Sequence, residues 1–258
     1  MGRKTVHFHR RSQAEFARQF TPLCNTKSSW EVWADFITLS ALAIANAMDQ
    51  QGETHDAREQ EYLGIINRYP KKDQQVFPEL LAKLVGALEE DPAQDFLGEM
   101  FMALELGSHW KGQFFTPYSI CQLMAAMTIE DRKQEIEDKG WVSVNDPCCG
   151  AGALLIAARN EMVKQGIVPR QVLYVAQDID RTAALMCYLQ LSLLGCAGYV
   201  VVGDTLTQPV ASPTGSPLLI APQPEQEIWL MPALYDEVWA CRVQLERLKL
   251  LMKPKEEN

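Results

Sequence analysis

The stretch that most limits what this chain can fold into is Val142–Asn160, VSVNDPCCGAGALLIAARN. The apolar run from Trp141 to Val144 reads as a strand. It runs into Asp146-Pro147 and a glycine turn, Gly150-Ala151-Gly152, after which Leu154, Leu155, Ala157 and Ala158 take helical spacing. Strand, turn and helix make a cradle of the kind that holds nucleotide-like ligands. Glycine has no Cβ and tolerates positive φ, so backbone can lie close to a ligand there. The helix beyond the turn opens with N–H groups that have no partner inside it. The turn departs from the dinucleotide fingerprint, because the third glycine is missing and Asp146-Pro147 stands ahead of it. A lone G-x-G turn is as readily structural as functional, so its surroundings carry the argument.

Those surroundings alternate strand and helix. Val172–Ala176 is a strand ending at Gln177-Asp178-Ile179-Asp180. A helix over Arg181–Leu194 is stopped by Gly195, and Tyr199–Val202 is a third strand ending at Gly203-Asp204-Thr205-Leu206. This order predicts a parallel sheet with right-handed crossovers. In such sheets ligands bind at the C-terminal strand edge. Each strand ends in an aspartate: Asp146, Asp178 and Asp204. One aspartate there is commonly a cap or a turn residue, whereas three along one edge point to a polar ligand. Asp178 stands where an acid reaches ribose hydroxyls, and Asp204 where one accepts from an adenine amino group. No phosphate-loop lysine is present, and an acidic rim repels pyrophosphate. S-adenosyl-L-methionine carries a sulfonium, an ammonium, a ribose and an adenine, and it suits this edge better than NAD or ATP.

The first hundred residues read as helical. A short helix is expected around Ser12–Phe20. Ser28-x-x-Glu31 is a capping box opening a helix from about Trp30 to Met48 that is apolar nearly all round. A polar loop is expected at Gln51–Asp56. Helices follow over Arg58–Asn67, over 73–90, and from Asp91-Pro92 to about Leu106. Thr116 reads as an N-cap with Pro117 at the first helical position of Pro117–Met127. The adjacent Phe114 and Phe115 are either core or a support for a flat ligand. A fourth strand is expected at Pro217–Ala221. The tail reads as one helix from Pro232 to about Met252, in which Leu234, Val238, Cys241, Leu245, Leu248 and Met252 step by four and three. Two heptads are short for a coiled coil, so packing on the chain's own domain is preferred to a homodimer or a partner subunit. Trp229 and Trp239 carry apolar area that is costly to expose.

The net charge is −9, which argues against broad electrostatic affinity for nucleic acid. Arg3, Lys4, His7, His9, Arg10 and Arg11 form a local basic cluster, read as a solvated terminus. Seven cysteines include no C-x-x-C pair, so no metal site is expected and the thiols are read as reduced space-fillers. Read by hydropathy, no apolar run approaches the length needed to span a bilayer, and the first residues lack the apolar core of a secretory signal. The expectation is a cytoplasmic protein without a membrane partner.

Taken in order, Gly112-Gln-Phe-Phe-Thr-Pro117, Asp146-Pro-Cys-Cys-Gly-Ala-Gly152, Gln177-Asp-Ile-Asp180 and Gly203-Asp-Thr-Leu206 resemble the cofactor motifs of N6-adenine DNA methyltransferases. The likeness is to modification subunits of type I restriction systems and to related short methylases of mobile elements. Asp95-Phe-Leu-Gly98 resembles that group as well, and the similarity covers about residues 90–210. The resemblance implies an α/β, Rossmann-like S-adenosylmethionine-dependent methyltransferase fold, with a parallel-type sheet and flanking helices. An all-helical N-terminal region would precede it. The expected parts are a helical region (1–110), a cofactor-binding domain (111–231) and a C-terminal helix and tail (232–258).

The resemblance also implies residue roles. Phe115, Thr116 and Pro117 would line the methionine end, and Asp146, Gly150 and Gly152 would hold the amino acid moiety. Asp178 would bind the ribose, Ile179 would lie against the adenine, and Asp204 and Leu206 would complete the adenine pocket. DNA is the implied substrate, with a partner supplying recognition. The family's Asn/Asp-Pro-Pro-aromatic catalytic motif is missing: Pro222-Gln-Pro-Glu225 follows the expected fourth strand, and Gln223 offers only an amide. A cofactor-binding regulatory subunit, or methylation of another acceptor, therefore stands beside adenine methylation.

Overall fold

The computed structural model describes residues 8–106, 115–129 and 132–252. Arg3, Lys4 and His7 of the basic cluster lie outside the described residues, as do Gly112, Gln113 and Phe114.

Apolar spacing in the first hundred residues is realised as α1 (Arg11–Leu23), α2 (Ser29–Met48), α3 (Glu53–Ile66), α4 (Lys71–Gln74), α5 (Val76–Glu90) and α6 (Phe96–Ala103). The Ser28 hydroxyl oxygen accepts from the Glu31 N–H at 3.1 Å, so the predicted cap is formed. Along α2, Val32, Trp33, Phe36, Ile37, Ala41 and Leu42 are wholly buried. Phe16 meets Phe36 and Phe96 edge-on at 5.3 and 5.6 Å, which joins α1, α2 and α6 through their rings. At 20 residues α2 is in fact long and apolar enough to cross a bilayer, which corrects the sequence reading; most of it lies buried inside the fold.

Two helix starts differ from expectation. The loop expected at Gln51–Asp56 is mostly helix, because Gly52 turns the chain at φ 102° and Glu53 and Asp56 complement the N-terminal dipole of α3. The helix expected from Asp91-Pro92 begins only at Phe96. Asp91 ends α5, and Asp95 caps α6 by accepting from the Gly98 N–H.

The second half runs α7 (Tyr118–Thr128), α8 (Lys133–Lys139), β1 (Val142–Asp146), α9 (Ala153–Lys164), β2 (Val172–Asp178), α10 (Arg181–Leu193), β3 (Ala197–Val202), β4 (Glu227–Leu230) and α11 (Glu237–Met252). Pro117, rather than Thr116, is the N-cap of α7, with an extended ψ of 135°. Strands β1, β2 and β3 are parallel, with Val142 opposite Val172 and Tyr174 opposite Gly198. Each crossover is a helix, so the chain has the α/β, Rossmann-like architecture expected of it, behind a helical N-terminal region.

The fourth strand corrects the sequence reading. Pro217–Ala221 is not a strand, and only an isolated bridge joins Ala211 to Ala221. Prolines at 213, 217, 222 and 224 remove ladder donors, while Ser212 and Ser216 bond locally. Glu227–Leu230 pairs antiparallel with β3 instead, Tyr199 opposite Leu230. The sheet order is β1-β2-β3-β4, so among the described residues the sheet ends at β1.

Tyr174, Val200 and Trp229 belong to the core that continues into the helical half, where α10 packs on α2. Leu173, Val175, Tyr199 and Val201 face the other way, against Trp239 of α11. Trp239 meets Trp141 at 6.0 Å and lies under the Arg242 guanidinium at 4.3 Å. Both tryptophans singled out in the tail are buried. The 4-3 stripe is not the packing face: Val238, Leu245, Leu248 and Met252 are exposed. A 3-10 turn at Pro232–Tyr235 precedes α11, and Trp239 sets which side of the helix turns inward.

Arg181, the first residue of α10, ties three elements together. It reaches both carboxylate oxygens of Glu227 on β4, at 2.7 and 2.9 Å, and Glu61 on α3 at 3.1 Å. Its guanidinium also lies over the Trp229 ring. Arg181→Ala is expected to lower stability by roughly 1–3 kcal/mol, since a two-point charged pair is lost and Glu227 is left without it. Urea unfolding of the variant checks this; an unchanged midpoint would count against the clamp.

Candidate active site

β1 and β2 end side by side, which brings Asp146 and Asp178 to one sheet edge. The turn after β1 folds back over that edge. The Asp178 carboxylate accepts from the Gly150 N–H at 2.8 Å through Oδ2 and from the Asp180 N–H at 2.9 Å through Oδ1. The Cys149 N–H donates to the Gln177 carbonyl at 3.0 Å. Gly150 (φ 53°) and Gly152 (φ 93°) both hold left-handed backbone. A Cβ on Gly150 would lie 3.1 Å from the Phe115 ring, and one on Gly152 would lie 2.9 Å from the Cys187 sulfur. The glycines therefore let the turn close against Phe115 on one side and α10 on the other.

A cavity of about 300 Å³ opens at this edge. Phe115, Thr116, Asp146, Gly150 and Asp178 all line it, together with Asp95, Cys148, Cys149, Ala153 and Leu154. Among the described residues that line it there is no lysine, arginine or histidine. Burial pushes the Asp146 carboxyl above its usual range; the Cys148 N–H opposes that shift and the nearby Asp178 charge adds to it. α9 starts on this cavity, and Gly152 at its N-cap supplies no side chain to the free N–H groups.

The remaining expected residues stand apart from the cavity wall. Gly152 sits behind the turn, and Pro117 lines a neighbouring cavity that shares Asp95, Phe115 and Thr116 with the first. Ile179 is 69% exposed and Leu206 is 92% exposed. Asp204 is held below the usual carboxylate range by the Leu206 N–H, which donates to its Oδ1 at 2.9 Å. The Thr205 hydroxyl donates to the Pro147 carbonyl, so the turn after β3 is tied to the turn after β1. The expected adenine side is therefore an open shelf, whereas the expected methionine side is enclosed. Among the cysteines, Cys148 and Cys241 are exposed rather than space-filling.

Sequence reasoning gave no role to Asp95 or Gln190. Gln190 on α10 is fully buried, and every contact of its amide is internal. It donates to Asp95 Oδ1 at 2.7 Å and to the Ala151 carbonyl at 2.9 Å, and accepts from the Leu97 N–H at 3.0 Å. One glutamine thus fastens the helical half to the glycine turn. The visible signal was Asp95-x-x-Gly98, a side chain three residues before an N–H it can cap.

Four similarities to known proteins stand beside this geometry. Over 110 residues the chain is 26% identical to the type I restriction enzyme MjaIX methylase subunit of Methanocaldococcus jannaschii; the match takes in 43% of this chain and only 18% of that protein. A type I restriction-modification system methyltransferase subunit from Streptococcus thermophilus superposes with a TM-score of 0.43 at 16% identity, over 79% of this chain and 60% of that one. A Listeria monocytogenes chain assigned to the class I S-adenosylmethionine-dependent methyltransferases gives 0.42 at 18% identity, over 78% of this chain and 56% of that one. The profile of the N-6 DNA Methylase family matches residues 95–236. That span is more than half of the sequence and holds every element that builds the cavity from Asp95 to β3, so the chain belongs to the N-6 DNA methylase family.

Proposed function

We propose that this chain binds S-adenosyl-L-methionine at the β1–β2 edge and presents its methyl group to an adenine of DNA, with a partner subunit supplying DNA recognition. The observation that carries the reading is the lining of one cavity by Asp95, Asp146, Asp178 and the glycine turn, with no basic residue among the described lining residues. Such a wall favours a cation and disfavours a phosphate. Thr116 and Phe115 would hold the methionine end, and the N–H groups at the start of α9 would receive its carboxylate. Asp178 would face the ribose with the lone pairs that Gly150 and Asp180 leave open. Ile179, Asp204 and Leu206 would take the adenine on their exposed shelf. Pro117 and Gly152 would act behind the wall, by setting the start of α7 and the close approach to α10. Bound there, the cofactor supplies an electrophilic methyl carbon on sulfur.

A second reading is favoured by one specific observation. The sequence contains no Pro-Pro dipeptide, so the family's adenine-holding motif is absent from it. On that reading the chain binds the cofactor and leaves transfer to an assembly. Isothermal calorimetry is expected to detect S-adenosylmethionine binding under either reading. Tritiated methyl transfer to DNA by the chain alone is expected only under the first; absence of calorimetric binding would sink both.

A further inference from the structure

Among the described residues, Asp95 is the one carboxylate of the cavity that comes from the helical half of the chain. Its residue is only 2% exposed, yet it lines both the 300 Å³ cavity and the neighbouring one that contains Pro117. Its Oδ1 is doubly engaged, by the Gly98 N–H at 3.0 Å and the Gln190 amide at 2.7 Å. Among the described residues no donor reaches Oδ2, and no basic side chain pairs with the group. Burial is the largest influence on this carboxyl and pushes it up to about 6. A buried carboxylate without a cation costs folding free energy, and a cation entering the cavity would relieve that cost. The free N–H groups at the start of α9 open on the same cavity, a few residues beyond Ala151, whose carbonyl the same Gln190 holds. A positive-end donor set and a buried acceptor thus flank one space, an arrangement that suits a zwitterion.

From this we infer that Asp95 is the receptor for the α-ammonium group of the ligand's amino acid end, and that Gln190 positions it there. The inference rests on the reading of this cavity as the S-adenosylmethionine site and assigns a binding residue from outside the sheet. It makes the chain selective for ligands that carry the amine.

Two thioethers test it: S-adenosylhomocysteine and S-adenosyl-4-thiobutyrate, the same molecule without its α-amino group. By calorimetry the natural chain is expected to prefer the amine-bearing compound by about 10- to 100-fold, the range of one charged hydrogen bond. Asp95→Asn keeps an acceptor for Gly98 and Gln190 and is expected to remove most of that preference while leaving affinity for the thiobutyrate nearly unchanged. If the variant weakens both compounds equally, Asp95 is a helix cap only and the inference fails. It fails also if the natural chain binds both alike. Binding of neither compound to the natural chain overturns the cofactor reading itself, a distinguishable result. Should the variant not fold, a crystal of the natural chain with S-adenosylhomocysteine decides: an ammonium nitrogen on Asp95 supports the inference, and one turned away from it refutes it.

Discussion

Asp178→Ala should weaken S-adenosylmethionine binding by at least about 100-fold, and it should also lower stability, by roughly 2–4 kcal/mol. The two effects share one cause. The carboxylate is bonded at 2.8 Å to Gly150 and at 2.9 Å to Asp180, so it holds both the glycine turn and the entry to α10. Bonds to an ionised acceptor contribute about 1.5–3 kcal/mol each. Rehydration offsets part of the loss at Gly150, which is half-buried; it offsets little at Asp180, which is buried. Released from Asp178, the turn no longer presses Gly150 on Phe115, and both walls of the cavity move. Calorimetry with S-adenosylmethionine and urea unfolding measure the two quantities separately. Affinity within a factor of about three of the natural chain would mean that the cavity is not where the cofactor binds.

Asp95→Asn, in contrast, should stabilise the ligand-free chain, and by an amount that depends on pH. An aspartate ordinarily titrates near 3.8, and burial moves this one to about 6. Below pH 4 it is protonated in both the folded and the unfolded chain, and the natural residue carries no charge penalty. As pH rises from about 4 to 6, the unfolded chain releases its proton while the folded chain retains it. The natural protein loses stability across that window. Above pH 6 the loss is complete, at up to about 3 kcal/mol by linkage. The asparagine variant has no such titration. The stability gap between the two should therefore open between pH 4 and pH 6 and stay open above it. Urea midpoints at pH 4, 5, 6 and 7 check the trend; a gap independent of pH would remove the buried charge as its cause. Stability given up at a binding group is the usual trade at functional sites.

The order β1-α9-β2-α10-β3 and the strand-end aspartates are legible along the chain. Those features are local: a period-two or period-3.6 apolar pattern, a glycine turn and a stop signal lie within a few residues of one another. Val172–Ala176 and Arg181–Leu194 were readable to within two residues of the observed β2 and α10 for that reason. The fourth strand was not, because PLLIA at 217–221 and EIWL at 227–230 both have strand composition. Pro217 lacks an N–H, the Leu219 N–H turns back to the Ser216 carbonyl and the Ala221 N–H goes to Ala211, whereas Glu227–Leu230 is the segment that pairs with β3. The packing side of α11 was not readable either, since one buried contact of Trp239 with Trp141, 98 positions away by number (239 less 141), outweighs a stripe of smaller residues. The deepest wall of the cavity was the least visible of all. Gln190 meets Asp95 across 95 positions of chain, and no pattern along either helix encodes that meeting. Periodicity records which face of an element is apolar; which polar groups meet beneath that face is decided only when the helical half closes on the sheet and leaves them no water to bond.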